Sequence, residues 1–233
     1  MRKVPFVQGE YYHIYNRGVD KRAIFGDIFD VLRFYQSMEE FNVIEPIGSI
    51  YENRFNKKDK TKLGRETSKS GKLVDIVAYC LNPNHFHLIL IPLVENGISE
   101  FMKRLSGGYT KFFNIKYKRS GALFQGNFKD VHIDTDEYLM YVSAYVNLNN
   151  RVHKPLGRET SKFKLMKSSW NEYMNTKIIK DKKGDNKLSG NPNDICQKDI
   201  ILERFDDIRD YKKFAESALQ SILKRRYEMD TLE

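Results

Sequence analysis

The sequence predicts an α+β fold: a ferredoxin-like sandwich, an antiparallel sheet with helices on one face, plus a C-terminal helical extension. Three observations carry this. Strand and helix periodicities succeed one another over the first 150 residues in the order β-α-β-β-α-β-α. Two apolar runs, LVDIVAYCL (73–81) and HFHLILIPL (85–93), flank the turn NPN (82–84) and read as a hairpin. After residue 196 the pattern becomes helical again, with Ile201, Phe205, Ile208, Tyr211, Phe214, Ala218 and Ile222 recurring at helical spacing.

YYHIYNRG (11–18) is rich in Tyr and Ile and stops at Gly18, as a strand does. Residues 27–42 place Ile28, Val31, Leu32, Tyr35, Met38 and Phe41 on one helical stripe. Residues 54–72 are basic and polar, a loop or hairpin tip. A helix is expected over 97–118, interrupted at Gly107-Gly108, and a strand over 122–133. Asp134 or Thr135 can cap a helix over 136–149, where Asp136 and Glu137 suit the positive end of the dipole.

The chain has 233 residues, 40% of them hydrophobic and 13% aromatic, enough apolar material to exclude wholesale disorder. It has no apolar run of membrane-spanning length, and its N-terminus has no apolar h-region. Two cysteines, Cys80 and Cys196, make neither a disulfide framework nor a Cys-based zinc site. A cytoplasmic protein with no membrane partner is therefore expected. The formal net charge is +9, which favours a polyanionic partner. Residues 177–233 hold 13 basic and 12 acidic side chains, so almost all the excess precedes them. Composition divides the chain into a core over 1–150 within a unit 1–176, and a polar linker with a helical extension over 177–233.

The hexapeptide GRETSK occurs at 64–69 and again at 157–162, each time after a leucine. The flanks differ and there are two copies, which excludes a solenoid. Gly and Thr codons can be reverse complements, so both copies read as remnants of a palindromic element inserted into tolerant loops. A duplicated basic contact loop, with Arg65 and Arg158 as outer contacts, is the protein-level alternative.

His85-Phe86-His87 is the sharpest local feature. Residues two apart on a strand share a face, about 7 Å apart along the backbone. The two imidazoles can chelate one divalent cation; two strand histidines hydrogen-bonded at a sheet edge are the plainer alternative. In the helix DEYLMYVSAYVNLNN (136–150), Tyr141, Tyr145 and Asn149 follow at i, i+4 and i+8 and share one face. Ordinary packing of a tyrosine stripe fits that helix taken alone. Combined, the parts fit one chemistry: a metal on two imidazoles and a polar oxygen polarises a phosphate, and a phenol attacks phosphorus.

The stretches YYHIYNRGVDKRAIF (11–25), VAYCLNPNHFHLIL (77–90), RLSGGYTKFFNIKYKRSGALFQGNFK (104–129) and DTDEYLMYVSAYVNLNN (134–150) together resemble the single-tyrosine HUH (His-hydrophobe-His) transposases of the IS200-like superfamily. The likeness is closest to the REP-associated tyrosine transposases. It implies cleavage of single-stranded DNA beside a hairpin, a Mg²⁺ or Mn²⁺ ion, a 5′-phosphotyrosine intermediate and a free 3′-hydroxyl. It makes His85, His87 and Asn149 the metal ligands and Tyr145 the nucleophile, in the pattern Y-hydrophobe-x-x-N. The family's usual Pro after that Asn is Asn150 here. The implied partner is a single-stranded DNA hairpin, with monomer and homodimer both open. Tyr109 and Tyr141 are rival nucleophiles.

For DNA contact, residues 103–121 carry Lys103, Arg104, Lys111, Lys116, Lys118 and Arg119 with no acidic residue. Tyr109, Phe112, Phe113 and Tyr117 are interleaved, so phosphates and unpaired bases both find partners. A solvated basic helix face is the alternative. Arg17, Lys21 and Arg22 lie around a glycine turn that can grip a phosphate, and Lys129 can approach the same site. Two other functions compete with strand transfer. One is a non-cleaving hairpin-binding protein domesticated from such an enzyme. The other is an RNA-binding ferredoxin-like module, in which His85 and His87 have no role.

Overall fold

A computed structural model describes residues 5–53, 71–152, 165–180 and 186–230. In chain order the core elements are Tyr11–Arg17 (β1), Ile28–Glu40 (α1), Val74–Asn82 (β2), His85–Pro92 (β3), Gly97–Lys116 (α2), Lys129–Ile133 (β4) and Asp136–Val152 (α3). Then come Lys167–Ser168 (β5), Trp170–Met174 (α4), Lys177–Lys180 (β6), Asn186–Ser189 (β7), Asp199–Leu202 (α5) and Ile208–Asp230 (α6). The main sheet has the order β4-β1-β3-β2-β5, and every pairing is antiparallel. The order of the first four strands is that of two interleaved βαβ units, as the sequence predicts. The hairpin β6–β7 stands apart from it. Both GRETSK copies lie outside the described residues. Among the described residues no helix is long and apolar enough to cross a membrane.

Strand alternation sorts the layers. Phe86 points to the face covered by α1 and α2, its ring 5.3 Å from that of Phe34, which in turn meets Tyr109 at 4.9 Å. His85 and His87 point to the opposite face, where α3 lies against β2 and β3. The sandwich of α1 and α2 on one face is thus joined by a second helical layer on the other. Outside α3 runs α6: Tyr211 is fully buried, and its hydroxyl accepts from Asn147 Nδ2 at 2.7 Å. Asn147 Oδ1 accepts from Ser169 Oγ at 2.5 Å, so α3 is tied both to the tail and to the β5–α4 corner. Phe205, expected on the helical stripe, sits between α5 and α6, its ring 5.2 Å from Tyr211.

Two elements differ from expectation. Helix α2 runs through Gly107-Gly108 without a break. A Cβ on Gly108 would stand 2.7 Å from the Phe41 ring, so this glycine serves close packing and not a helix stop. Gly108→Ala is expected to destabilise the fold by about 1–3 kcal/mol through overpacking, read as a lower midpoint in urea. The expected strand 122–133 is regular only over Lys129–Ile133. The preceding residues pair across the end of β1, Phe124 bridging Gly18 and Gln125 N–H donating to Arg17 O at 2.8 Å. Gly126 there adopts a left-handed conformation, φ +67°, which a ladder strand excludes.

Candidate active site

Register builds the site. Across the sheet, Asn82, His85 and Arg17 stand side by side, and the next row on the same face is Cys80, His87, Tyr15 and Lys129. Hydrogen-bonded neighbours in a sheet share a face, so Arg17 and Lys129 flank the two histidines.

The histidines are held by polar partners. The His85 and His87 ring centroids are 5.2 Å apart with the planes nearly perpendicular. His85 Nδ1 donates to Asn84 Oδ1 at 2.7 Å, and His85 Nε2 accepts from Asn82 Nδ2 at 2.9 Å. Asn82 Nδ2 also donates to Asn149 Oδ1 at 2.8 Å. His87 Nδ1 lies 2.9 Å from Nε2 of His13, and the two rings stack. Burial lowers the His13 pKa to about 4, so that imidazole is neutral near neutral pH. Burial also lowers the His85 pKa; the Asn149 bond opposes this and the charge of Arg17 adds to it. Neutral imidazoles are the form that binds metal.

Helix α3 brings the phenol and the amide. Its Leu139, Val142, Val146 and Leu148 are buried, which turns the face of Tyr145 and Asn149 toward the histidines. The Tyr145 ring stands edge-on to His87, centroids 5.5 Å apart, and to His13 at 6.0 Å. Asn149, one turn on, is fully buried, with Oδ1 3.3 Å from His85 Nε2. Without proline after Asn149, the helix continues to Val152. The rival Tyr109 is buried in the other layer, donates to Ile24 O at 2.7 Å and has its pKa raised by that burial. Tyr141 is half-buried one turn before Tyr145.

The donor set fits a divalent cation. His85 Nε2 and Asn149 Oδ1 both present lone pairs to one spot, served by a single amide nitrogen of Asn82. Asn149 Nδ2 is buried without a hydrogen-bond partner, so this amide is turned for its oxygen at the expense of its nitrogen. Among the described residues no group of three or more His, Cys, Asp and Glu side chains is arranged to hold a metal. The candidate set is therefore two imidazoles and one amide oxygen.

The basic candidates separate in space. Arg17 and Lys129 are on the histidine face, with Arg17 Nε donating to Gln125 Oε1 at 2.5 Å. Lys21 and Arg22 follow β1 in a tight turn, where Arg22 pairs with Asp20 at 3.3 Å. Lys103, Arg104, Lys111 and Lys116 are on α2, across the sheet from the histidines. Lys116 bonds Asp27 at 2.7 Å and buried Asp30 at 2.6 Å. These bonds raise its pKa against the effect of desolvation. Arg104 bonds Glu100, Val43 O and Ile44 O, and Lys103 also pairs with Glu100. Lys111 and Lys118 are exposed, while Arg119 closes the end of α2 through Asn114 Oδ1 and Ala122 O.

Three site residues escape a sequence reading. His13 looks like one strand residue among aromatics, and only the β1–β3 pairing puts it against His87. Asn82 and Asn84 read as turn formers, yet both bond His85. The signal available was the concentration of asparagine beside histidine in NPNHFH.

Residues 50–149 match the family model described as "Transposase IS200 like". That stretch runs from before β2 to within α3 and includes His85, His87, Tyr145 and Asn149. A solved REP-associated tyrosine transposase bound to a REP hairpin aligns with 66% of this chain and 73% of its own. Identity is 15% and the TM-score 0.38. No curated protein matches the sequence closely.

Proposed function

We propose that this chain, whose residues 50–149 match the IS200-like transposase model, is such a transposase and cuts and rejoins single-stranded DNA next to a hairpin through Tyr145. The observation that supports this most is the convergence of His85, His87, Asn149 and Tyr145 from two separate elements on one face of the sheet. His85, His87 and Asn149 would hold Mg²⁺ or Mn²⁺. When bound, such an ion supplies Lewis-acid polarisation of the scissile phosphate. Tyr145 Oη forms a bond to phosphorus as the P–O3′ bond breaks. The phenol proton leaves, the 3′ oxygen takes up a proton, and a 5′-phosphotyrosine with a free 3′-hydroxyl results. A 3′-hydroxyl attacking that phosphotyrosine reverses the step and joins strands. Residues 1–176 form the unit that does this, and 177–233 are an extension buttressing α3 through Tyr211. Acting on DNA would fit the expected cytoplasmic, nucleoid-associated location.

The test is incubation of the full chain with Mn²⁺ and a single-stranded oligonucleotide containing a hairpin from around its own gene. A covalent protein–DNA adduct on a denaturing gel is the expected result. Binding with no adduct at any metal concentration would favour the non-cleaving hairpin binder. Tighter binding of RNA than DNA hairpins in competition would favour the RNA module.

Arg17 and Lys129 are the cations on the histidine face, and exposed Lys21 lies just beyond the end of β1. If these three neutralise three phosphates, log affinity falls against log salt with a slope of about −2. A flat salt dependence in fluorescence anisotropy would remove this footprint.

A further inference from the structure

We propose that His13 and Asn84 are positioning residues: each holds Nδ1 of one site histidine, so that both imidazoles present Nε2 to the same divalent cation. This rests on the reading of His85, His87 and Asn149 as a metal site.

Asn84 is oriented from both ends. Its Nδ2 donates to Lys21 O at 3.2 Å, and its own backbone oxygen accepts from Gly18 N–H at 2.9 Å. With the nitrogen end given to a carbonyl, Oδ1 is left to accept, and it lies 2.7 Å from His85 Nδ1. That bond places the proton of His85 on Nδ1 and the lone pair on Nε2, the atom facing Asn149 Oδ1.

His13 does the same for His87 from a different element. Its Nε2 is 2.9 Å from His87 Nδ1, and strand pairing with Ile89 fixes its backbone. The ring is almost fully buried, stacked on His87 and tilted against Tyr15 with centroids 5.1 Å from each, which restricts its rotation. When His13 Nε2 accepts, His87 carries its proton on Nδ1 and its lone pair on Nε2. Partners of this kind fix the tautomer and ring orientation of ligand histidines and raise metal affinity. Their supply from β1 and from the 82–84 turn explains why a histidine and an asparagine with no place in the DNA-contact pattern sit against the pair.

Mn²⁺ binding to the metal-free full chain, without DNA, tests this. Unbound Mn²⁺ is followed by its electron paramagnetic resonance signal. His13→Ala and Asn84→Ala are expected to weaken Mn²⁺ binding about 10–100-fold, with melting in EDTA and hairpin binding in EDTA near wild type. His13→Gln, whose Oε1 can take the acceptor place of Nε2, is expected to recover most of the affinity. A folded His13→Ala or Asn84→Ala protein that binds Mn²⁺ like wild type overturns the proposal. Should His13→Ala fail to fold, Asn84→Ala and His13→Gln decide the matter in its place. His13→Gln binding as weakly as a folded Ala variant overturns the acceptor assignment. Wild type binding no better than His85→Ala overturns the metal reading on which the proposal stands.

Discussion

Tyr145→Phe is expected to lower covalent adduct formation by on the order of 10³-fold or more, while hairpin affinity stays within about twofold of wild type. The substitution removes one oxygen and keeps the ring. That ring stands against His87 and His13, so the packing of α3 on the histidine face is retained. In the proposed reaction the phenol oxygen is the atom that would bond phosphorus. Tyr109 is buried beneath the opposite face with its hydroxyl on Ile24 O. Tyr141 lies one helical turn away and is the rival to exclude. Adduct formation by Tyr145→Phe at the wild-type rate, with loss in Tyr141→Phe, would move the nucleophile one turn along α3. The measurement is a denaturing-gel time course with a labelled oligonucleotide, run beside anisotropy for binding.

His85→Ala is expected to cut the Mn²⁺-dependent rate by about 10²–10³-fold, and EDTA to do the same to wild type. The structural cost is small. Asn82 keeps its bond to Asn149 Oδ1, and the 82–84 turn keeps its backbone bonds to Gly18, Ile24 and Phe25. A fold held by those contacts melts within a few degrees of wild type, which separates loss of metal from loss of structure. Undiminished nicking in EDTA by the wild-type protein would count against the whole site.

Much of the molecule is legible in its sequence, for identifiable reasons. The hairpin of β2 and β3 follows from apolar runs around NPN, and its register puts His85 and His87 on one face without any knowledge of the partner strands. The spacing of Tyr145 and Asn149 follows from helical geometry alone. The reading of 122–133 as one strand fails at Gly126, whose left-handed conformation interrupts the ladder between the Gly18–Phe124 bridge and Lys129–Ile133. The break expected at Gly107-Gly108 fails because helix propensity yields to packing, here the Phe41 ring.

The basic stretch 103–121 is the most instructive case. Its lack of acids is a fact of local sequence, yet Asp27, Asp30 and Glu100 are what Lys116, Arg104 and Lys103 meet. Asp27 and Asp30 come from the start of α1, 89 and 86 residues from Lys116. Charge excess along a chain is additive, but exposure of each charge is set by what folds against it.

Local order therefore established the element sequence, the shared face of the two histidines, the face of the tyrosine helix and the sign of the charge. Tertiary structure decided which strand lies beside β3, and so brought His13 to His87 and Arg17 to His85. It also decided that α3 covers the histidine face while α1 and α2 cover the other. The division has a physical cause. Periodicity and turn chemistry act within a few residues, whereas strand register and layer choice are settled by burial and hydrogen bonding between segments that the chain brings together only when it folds.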